Sequence, residues 1–126
     1  MKARYAVAVL FVLALVVGVS AAEAQGRRNR NVITAEEIAK SSAGDAYDLI
    51  RGLRPAWFVT RGVVSADPEA GGIVIYVDGI RQGYLSDLRS IPVERIQECR
   101  FLDARDATTR YGTGHPSGVI EITTRR

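Results

Sequence analysis

The most apolar stretch of the chain lies at its N-terminus. Lys2 and Arg4 precede a run from Tyr5 to Val19 that is almost wholly apolar, and Ala22-Glu23-Ala24 follows it. A positive start, an apolar run and a small-x-small motif, in that order, are typical of a secretory signal. The run is shorter than the ~20 residues that a spanning helix needs, which favours cleavage over a membrane anchor. We therefore predict a signal helix over residues 1–24 and an exported protein.

The rest of the chain divides into a short leader and one domain. Residues 25–31 are polar and basic, which indicates a flexible leader. Apolar positions recur from residue 32 to the C-terminus. We therefore predict one small domain with a single core over residues 32–126.

Two helical patterns open this domain. Thr34 and Glu37 form a capping box, and Ile33 and Ile38 have the spacing of a hydrophobic staple across it. Together they predict a short helix over about residues 35–41.

A second helix is predicted to begin near Ser42 or Ala43 and to end at Gly52 and Pro55. Its apolar face has residues at i, i+3, i+4 and i+7, namely Ala46, Leu49, Ile50 and Leu53.

Aromatic and β-branched residues mark four extended segments. These are residues 57–64, 73–77, 97–102 and 119–124. The second of them is continuously apolar, which predicts a strand covered on both faces. Asp78-Gly79 follows as a tight-turn dipeptide, so residues 80–83 are expected to pair back as a hairpin arm.

Turn and cap signals fill the intervals between these strands. Ser86 is predicted to cap a helical turn up to Ser90, and residues 92–95 form a further turn. Asp103 is predicted to cap a helix that runs to Arg110. Gly, Pro and Ser mark two loops, at 65–72 and 112–118.

The order of elements predicts an α+β domain, a small mixed sheet with short helices behind the signal helix. The formal net charge of +3 is too small to indicate a nucleic-acid partner. Cys99 is the only cysteine, so no disulfide can form within the chain and the fold rests on its apolar core.

Six segments, taken in order, resemble the plug domain of TonB-dependent outer-membrane receptors over about residues 31–126. The segments are 32–38, 46–55, 77–79, 88–100, 110–112 and 118–124. The residues of the V-D-G hairpin and of the closing Y-G…G-V-I segment are Asp78, Gly79, Gly112, Gly118, Val119 and Ile120.

This resemblance implies a non-catalytic binding or interaction module in the cell envelope. In such receptors the plug lies inside a large β-barrel that conducts the substrate, and 126 residues cannot build a barrel of that size. We therefore expect a free-standing plug-like domain, in the periplasm or at the periplasmic side of the outer membrane. The expected partner is a separately encoded barrel, another envelope protein or a small ligand. No clear TonB box precedes Val32.

Plugs of this family contact ligands through loops at one end, which implies contacts from loops 65–72 and 112–118. The candidate contact residues are Asp67, Glu69, Tyr111, Thr113 and His115. Two alternatives stay open, a structural remnant of a receptor that binds nothing specific and a small periplasmic enzyme.

No residue pattern supports the enzyme. His115 is the only histidine in the chain, so a metal site there would have no second histidine ligand. We expect His115 to be an exposed loop residue. Cys99 is expected to be a buried, inert hydrophobe, and Ser117 precedes a strand instead of standing in a nucleophile elbow. We expect no catalytic residue, cofactor or metal. Trp57 and Phe58 are expected in the core, with an exposed binding patch as the alternative.

Overall fold

The computed structural model describes residues 29–59 and 72–126. The predicted signal over residues 1–24 lies outside the described residues, as do Asp67 and Glu69 and the 60–64 part of the first extended segment. Within the two described ranges, no helix is long and apolar enough to cross a membrane.

A five-stranded mixed sheet forms the centre of the described domain. Its strands are β1 (Val32–Ile33), β2 (Val74–Val77), β3 (Ile80–Gly83), β4 (Ile96–Leu102) and β5 (Val119–Thr124). They lie in the order β1-β4-β5-β2-β3. Only β2 and β5 pair in parallel, and the other neighbours are antiparallel. The predicted α+β class with a small mixed sheet is therefore confirmed.

Short helices cover this sheet. They are α1 (Ala35–Lys40), α2 (Ala46–Leu53) and α3 (Ala104–Tyr111), with 3-10 turns at Pro55–Phe58, Leu85–Ser90 and Val93–Arg95. The predicted capping box of α1 is present, since Thr34 and Glu37 each accept a hydrogen bond from the other's backbone amide. The Asp103 carboxylate caps α3 by accepting the amide of Asp106 at 2.9 Å, as its position predicts.

Two apolar clusters lie on opposite faces of the sheet. The larger packs under α1, α2 and the 3-10 turns and contains Ile33, Ile38, Ala46, Leu49, Ile50, Trp57, Ile73, Ile75, Leu88, Ile96, Cys99, Ile120 and Ile122. The smaller lies under α3 and contains Val74, Tyr76, Ala107 and Val119. Successive residues of β2 alternate between the two clusters, so the prediction of a strand covered on both faces is confirmed.

Three local predictions are wrong. Helix α2 begins at Ala46, because the Asp45 carboxylate accepts the amide of Asp48 and supplies the cap that was expected near Ser42 or Ala43. Residues 57–58 are part of a 3-10 turn and not extended, because Pro55 has the fixed φ that suits a helical first position.

The third wrong prediction is the helix cap at Ser86. The turn begins at Leu85, and the Asp87 carboxylate accepts the amide of Tyr84 at 2.8 Å. The carboxylate of the next residue, Asp87, thus replaces the Ser86 hydroxyl that the sequence suggested.

Strand β1 is a strand that the sequence pattern did not predict. It has two residues, and they pair with Arg100 and Cys99 of β4. The carbonyl of Asn31 extends the contact by accepting the amide of Phe101 at 2.8 Å. The chain just before the domain is therefore joined to the sheet edge.

Candidate interaction surface

The Asp78-Gly79 turn joins three strands. Both residues have positive φ, 49° and 82°, which a two-residue hairpin of the type I′ class requires. The Asp78 carboxylate accepts the amide of Thr124 at 2.9 Å and its hydroxyl at 2.5 Å. These two bonds hold the pKa of the Asp78 carboxyl below its usual value, and the bond from the Thr124 hydroxyl has the larger effect. The motif therefore both turns the β2–β3 hairpin and holds the end of β5.

Gly118 stands at a close approach between the loop and β4. Its φ is 91°, and a Cβ atom there would lie 2.5 Å from the carbonyl oxygen of Leu102. Val119 and Ile120, which follow it, are fully buried in the smaller and the larger cluster respectively. The segment Gly118-Val119-Ile120 thus packs the start of β5 against both apolar clusters.

His115 is buried, with 6% of its surface exposed, and the expectation of an exposed loop residue is wrong. Its Nδ1 lies 3.0 Å from the carbonyl oxygen of Gly112, which can only accept. Nδ1 therefore donates, which leaves Nε2 as the acceptor for the Tyr76 hydroxyl, 3.0 Å away. The reason for burial is this pair of bonds, because they satisfy both ring nitrogens without water.

Tyr111 lies beside this histidine and shields it. Its ring stacks on that of Tyr76, with centroids 3.9 Å apart, and its hydroxyl donates to Glu121 at 2.7 Å. Burial, and then the Glu121 carboxylate, raises the pKa of the Tyr111 hydroxyl. Thr113, by contrast, is exposed. Of the three described candidate contact residues, Tyr111 at the end of α3 and Thr113 and His115 in the loop, Thr113 is therefore the one that solvent reaches freely.

Gly72 is the only residue of the other predicted contact loop that the structure describes. Val59 stands just before residues 60–71, which lie outside the described residues, and it shares a groove of about 360 Å³ with Pro116 and Ser117. The amide of Val74, two residues after Gly72, donates to the carbonyl of Gly118. The start of β2, two residues after Gly72, thus lies beside the end of loop 112–118.

The side of the sheet on which α3 packs has a group of polar side chains. On the side where α3 packs, the strand registers place Arg100, Glu121, Tyr76 and Arg81 in one row across β4, β5, β2 and β3. Glu98 and Thr123 lie on the same side in the next row. We call the open face the set Arg81, Glu98, Arg100, Arg110, Glu121 and Thr123.

Both carboxylates of the open face are already paired. Glu98 bonds to Arg100 at 3.0 Å, and Glu121 bonds to Arg110 at 2.7 Å as well as to Tyr111. Within the described ranges Arg81 forms no ion pair; it donates to the Tyr84 hydroxyl at 3.0 Å and lies over that ring. The open face therefore has an excess of cationic hydrogen-bond donors.

The strand pattern gave a partial signal for this surface. Alternation along the extended segment predicted at 97–102 places Glu98 and Arg100 on the opposite side of β4 from Cys99 and Phe101. The contribution of Arg81 and Glu121 was missed, because it depends on a register between strands that are distant in sequence.

Cys99 and Ser117, the other two candidates for chemistry, lie on different elements. Cys99 is fully buried, as predicted, and burial raises the pKa of its thiol to about 12. Ser117 is half-buried in the turn before β5. In the described part of the chain no three His, Cys, Asp or Glu residues are grouped so that they could hold a metal ion.

Similar folds occur in two solved receptor structures. The ferric yersiniabactin uptake receptor FyuA from Yersinia pestis matches 78% of this chain with a TM-score of 0.55 and 24% identity. A mutant of the ferric enterobactin receptor PfeA from Pseudomonas aeruginosa, solved with enterobactin, matches 75% with a TM-score of 0.51 and 21% identity. The match covers 17% of each receptor chain. At these identities the likeness concerns the fold alone.

Comparison with curated proteins gives no match. A family model described as the TonB-dependent Receptor Plug Domain, however, matches residues 22–119. This range contains α1–α3, β1–β4 and the motif residues from Asp78 to Val119. The chain therefore belongs to the TonB-dependent receptor plug domain family.

Proposed function

We propose that this protein is a non-catalytic interaction module of the cell envelope. It is exported by its N-terminal signal and acts at the periplasmic side of the outer membrane. Its partner is an outer-membrane β-barrel carried on a separate polypeptide. Loops 65–72 and 112–118 form the end at which a ligand is contacted, with Asp67, Glu69 and Thr113 as the residues that reach it.

The observation that carries this proposal is the open face. Helix α3 covers only part of this side of the sheet, and the side chains beside it are charged. The lumen of a membrane β-barrel is polar. A domain that has a polar face, and whose family supplies plugs to outer-membrane receptors, is suited to contact such a wall.

The placement of the reactive groups supports a non-catalytic role. The imidazole of His115 uses both nitrogens inside the fold, and the thiol of Cys99 is kept protonated by burial. A general base needs a free nitrogen within reach of a substrate proton, and a nucleophilic cysteine needs a thiolate. Neither group meets its requirement.

The test is capture followed by reconstitution. The chain, with its own signal and a C-terminal affinity tag, is expressed in the organism that encodes it, cross-linked in intact cells and purified from detergent-solubilised outer membrane. We expect an outer-membrane barrel protein to be recovered, and we expect that barrel, once purified, to bind the exported chain in calorimetry. An unrelated tagged periplasmic domain is the control.

Two results would contradict the proposal. One is a chain that stays in the cytoplasm; the other is a purified barrel that does not bind. A thermal-melt series with iron chelates, cobalamin, sugars and peptides tests the loop end separately, because a ligand that binds the folded state raises its stability. A flat series together with failed capture would indicate a structural remnant.

A further inference from the structure

The Asp78-Gly79 turn is also a place where the chain can modify itself. In an aspartate–glycine pair the backbone amide reaches the preceding side chain easily, because glycine has no side chain to hinder the approach. This is the only Asp-Gly pair in the chain, and there is no Asn-Gly pair. We infer that Asp78 is a site of spontaneous isomerisation to isoaspartate, and that its two bonds to Thr124 protect it in the folded protein. The inference does not depend on the proposed function.

The reaction has two steps, and water is the only other reactant. The amide nitrogen of Gly79 attacks Cγ of the protonated Asp78 carboxyl, the amide proton goes to solvent, and the carboxyl hydroxyl leaves with a proton as water. This closes a five-membered succinimide ring, which a second water molecule opens. Opening at Cγ restores aspartate, whereas opening at the former backbone carbonyl gives isoaspartate, in which the main chain runs through Cβ and Cγ.

The backbone of the turn already has one of the angles that ring closure needs. A succinimide suits the first central position of a type II′ turn, where φ is positive, and Asp78 has a φ of 49°. Type II′ turns match the twist of a hairpin as type I′ turns do. Gly79, with a φ of 82°, can take the opposite sign of φ without strain. Rotation of the single peptide group between Asp78 and Gly79 therefore separates the observed turn from the reactive one.

Thr124 opposes this reaction in two ways. Its amide and its hydroxyl hold the two carboxylate oxygens of Asp78 at 2.9 Å and 2.5 Å, so rotation of the carboxyl breaks these bonds. The same bonds lower the pKa of the Asp78 carboxyl and keep it ionised, and an ionised carboxyl has no hydroxyl to lose. Burial adds nothing, because Asp78 and Gly79 are both exposed. The protection therefore depends on the end of β5.

Isomerisation would disrupt the contacts that the turn makes. Isoaspartate adds one backbone atom to the two-residue loop, and the pairing of Val77 with Ile80 depends on the length of that loop. It also attaches the carboxylate directly to the main chain, one methylene shorter than before. We expect the isomerised chain to lose the register of β2 with β3 and the bonds from Asp78 to Thr124.

The test is a storage series on the full chain at neutral pH and physiological temperature, in buffer and in guanidinium chloride. Isoaspartate is measured in the tryptic peptide 62–81 by chromatography with electron-transfer fragmentation. The other aspartate of this peptide, Asp67, precedes a proline, whose nitrogen has no proton to lose, so the signal reports Asp78. We expect isoaspartate to form at least about tenfold faster in guanidinium chloride, because attack requires the turn to open. Equal rates, or no isoaspartate in either solution, would overturn the inference.

Variants of β5 test the role of Thr124. T124V removes the hydroxyl and keeps the β-branched shape, and the folded variant is expected to isomerise at least about threefold faster, since an ordinary hydrogen bond corresponds to a few-fold change in rate. T124S keeps the hydroxyl and should isomerise as the original chain does. T123V removes a hydroxyl from the neighbouring residue and is the matched control. A T124V chain that isomerises no faster than T123V would overturn the inference.

A last comparison separates the loss of these bonds from a general loss of stability. H115F removes the buried bond to Tyr76 without touching the turn, so it opens the fold and leaves Asp78 bound to Thr124. At an equal unfolded fraction, T124V should isomerise faster than H115F in buffer. In guanidinium chloride all variants should isomerise at the same rate. If T124V and H115F isomerise equally in buffer, then the reaction follows global unfolding and Thr124 does not protect the site.

Discussion

The hydroxyl of Tyr76 lies 3.0 Å from Nε2 of His115, and this bond links the centre of the sheet to loop 112–118. Tyr76 belongs to β2, and it is in the smaller apolar cluster. The loop is therefore fixed by a buried polar bond in addition to its glycines. A bond in this setting contributes mainly because breaking it leaves a buried polar atom unpaired.

The first prediction concerns this bond. H115F keeps a ring of similar size but removes both nitrogens, so the Tyr76 hydroxyl loses its acceptor. We expect the free energy of unfolding to fall by about 1–3 kcal/mol. Urea denaturation measures it, and T113A in the same loop is the control, with a change within about 0.5 kcal/mol. An H115F protein as stable as the original would show that the bond does not matter.

The second prediction concerns the half-buried pair of Arg54 and Glu37. Arg54 donates to the Glu37 carboxylate at 2.9 Å and to the carbonyl of Val32 at 3.0 Å, and the two side chains are 14% and 19% exposed. We expect R54M to lower the free energy of unfolding by about 1–3 kcal/mol, since hydrogen bonds to charged groups are the stronger ones.

The chain contains a matched control for this pair. Lys40 and Glu36 are 2.6 Å apart on α1, but their side chains are 74% and 78% exposed. A double-mutant cycle over K40M and E36Q should give a coupling of about 0.5 kcal/mol or less. The same cycle over R54M and E37Q should give a clearly larger value. Equal couplings would mean that burial does not strengthen the first pair.

The sequence predicted those parts of the fold that depend on local chemistry. The capping box of α1, the Asp103 cap of α3 and the hairpin at Asp78-Gly79 each lie within a few residues, and all three are confirmed. The start of α2 was missed because the sequence has two residues there that could cap a helix, Ser42 and Asp45. The pairing of Ala46 with the carbonyl of Ile91, forty-five residues away, supports the later start.

The candidate site was harder to predict because its residues meet only through the sheet. The burial of His115 depends on Tyr76, thirty-nine residues earlier in the chain, and composition alone indicated an exposed loop. The open face needs the register of four strands. No local signal contains that information. The roles of Asp67 and Glu69 stay predictions, because they lie outside the described residues.

The third prediction compares two glycines of the same loop. Gly114 and Gly118 have φ values of 99° and 91°, but only Gly118 has a neighbour where a Cβ atom would go. G114A is expected to cost about 1–2 kcal/mol through backbone strain alone. G118A causes the same backbone strain and adds a clash with the Leu102 carbonyl, which should lower the free energy of unfolding by a further ~1–3 kcal/mol. Thermal and urea unfolding measure both, and equal losses would contradict the close approach.

The fourth prediction concerns pH. The bonds from Thr124 lower the pKa of Asp78, so the ionised form is favoured in the folded state. Its contribution to stability is therefore complete above the ordinary carboxyl range and is lost as the pH falls through the lower, folded-state pKa. We expect D78N, which tolerates the same positive φ, to be less stable than the original chain at pH 7. The two stabilities should approach each other near pH 2.

The control for this pH series is E94Q, which removes an exposed carboxylate from the turn before β4. Its difference from the original chain should be small at both pH values. A D78N difference that is the same at pH 7 and pH 2 would show that the charge of Asp78 contributes nothing, and that only the shape of the turn matters.

The fifth prediction concerns the thiol of Cys99. It is fully buried between β1 and β5, and burial raises its pKa to about 12. Because only the thiolate reacts with a disulfide reagent, Ellman's reagent at pH 8 should label the native chain only as fast as the chain opens. In about 6 M urea, labelling of the Cys99 thiol should be complete within seconds. Thr113→Cys adds an exposed thiol and should react at once in the native state. If Cys99 reacts in the native chain as fast as that added thiol, then the larger cluster is open to solvent at its centre. The sheet would then not hold β1 against β4 as the structure describes.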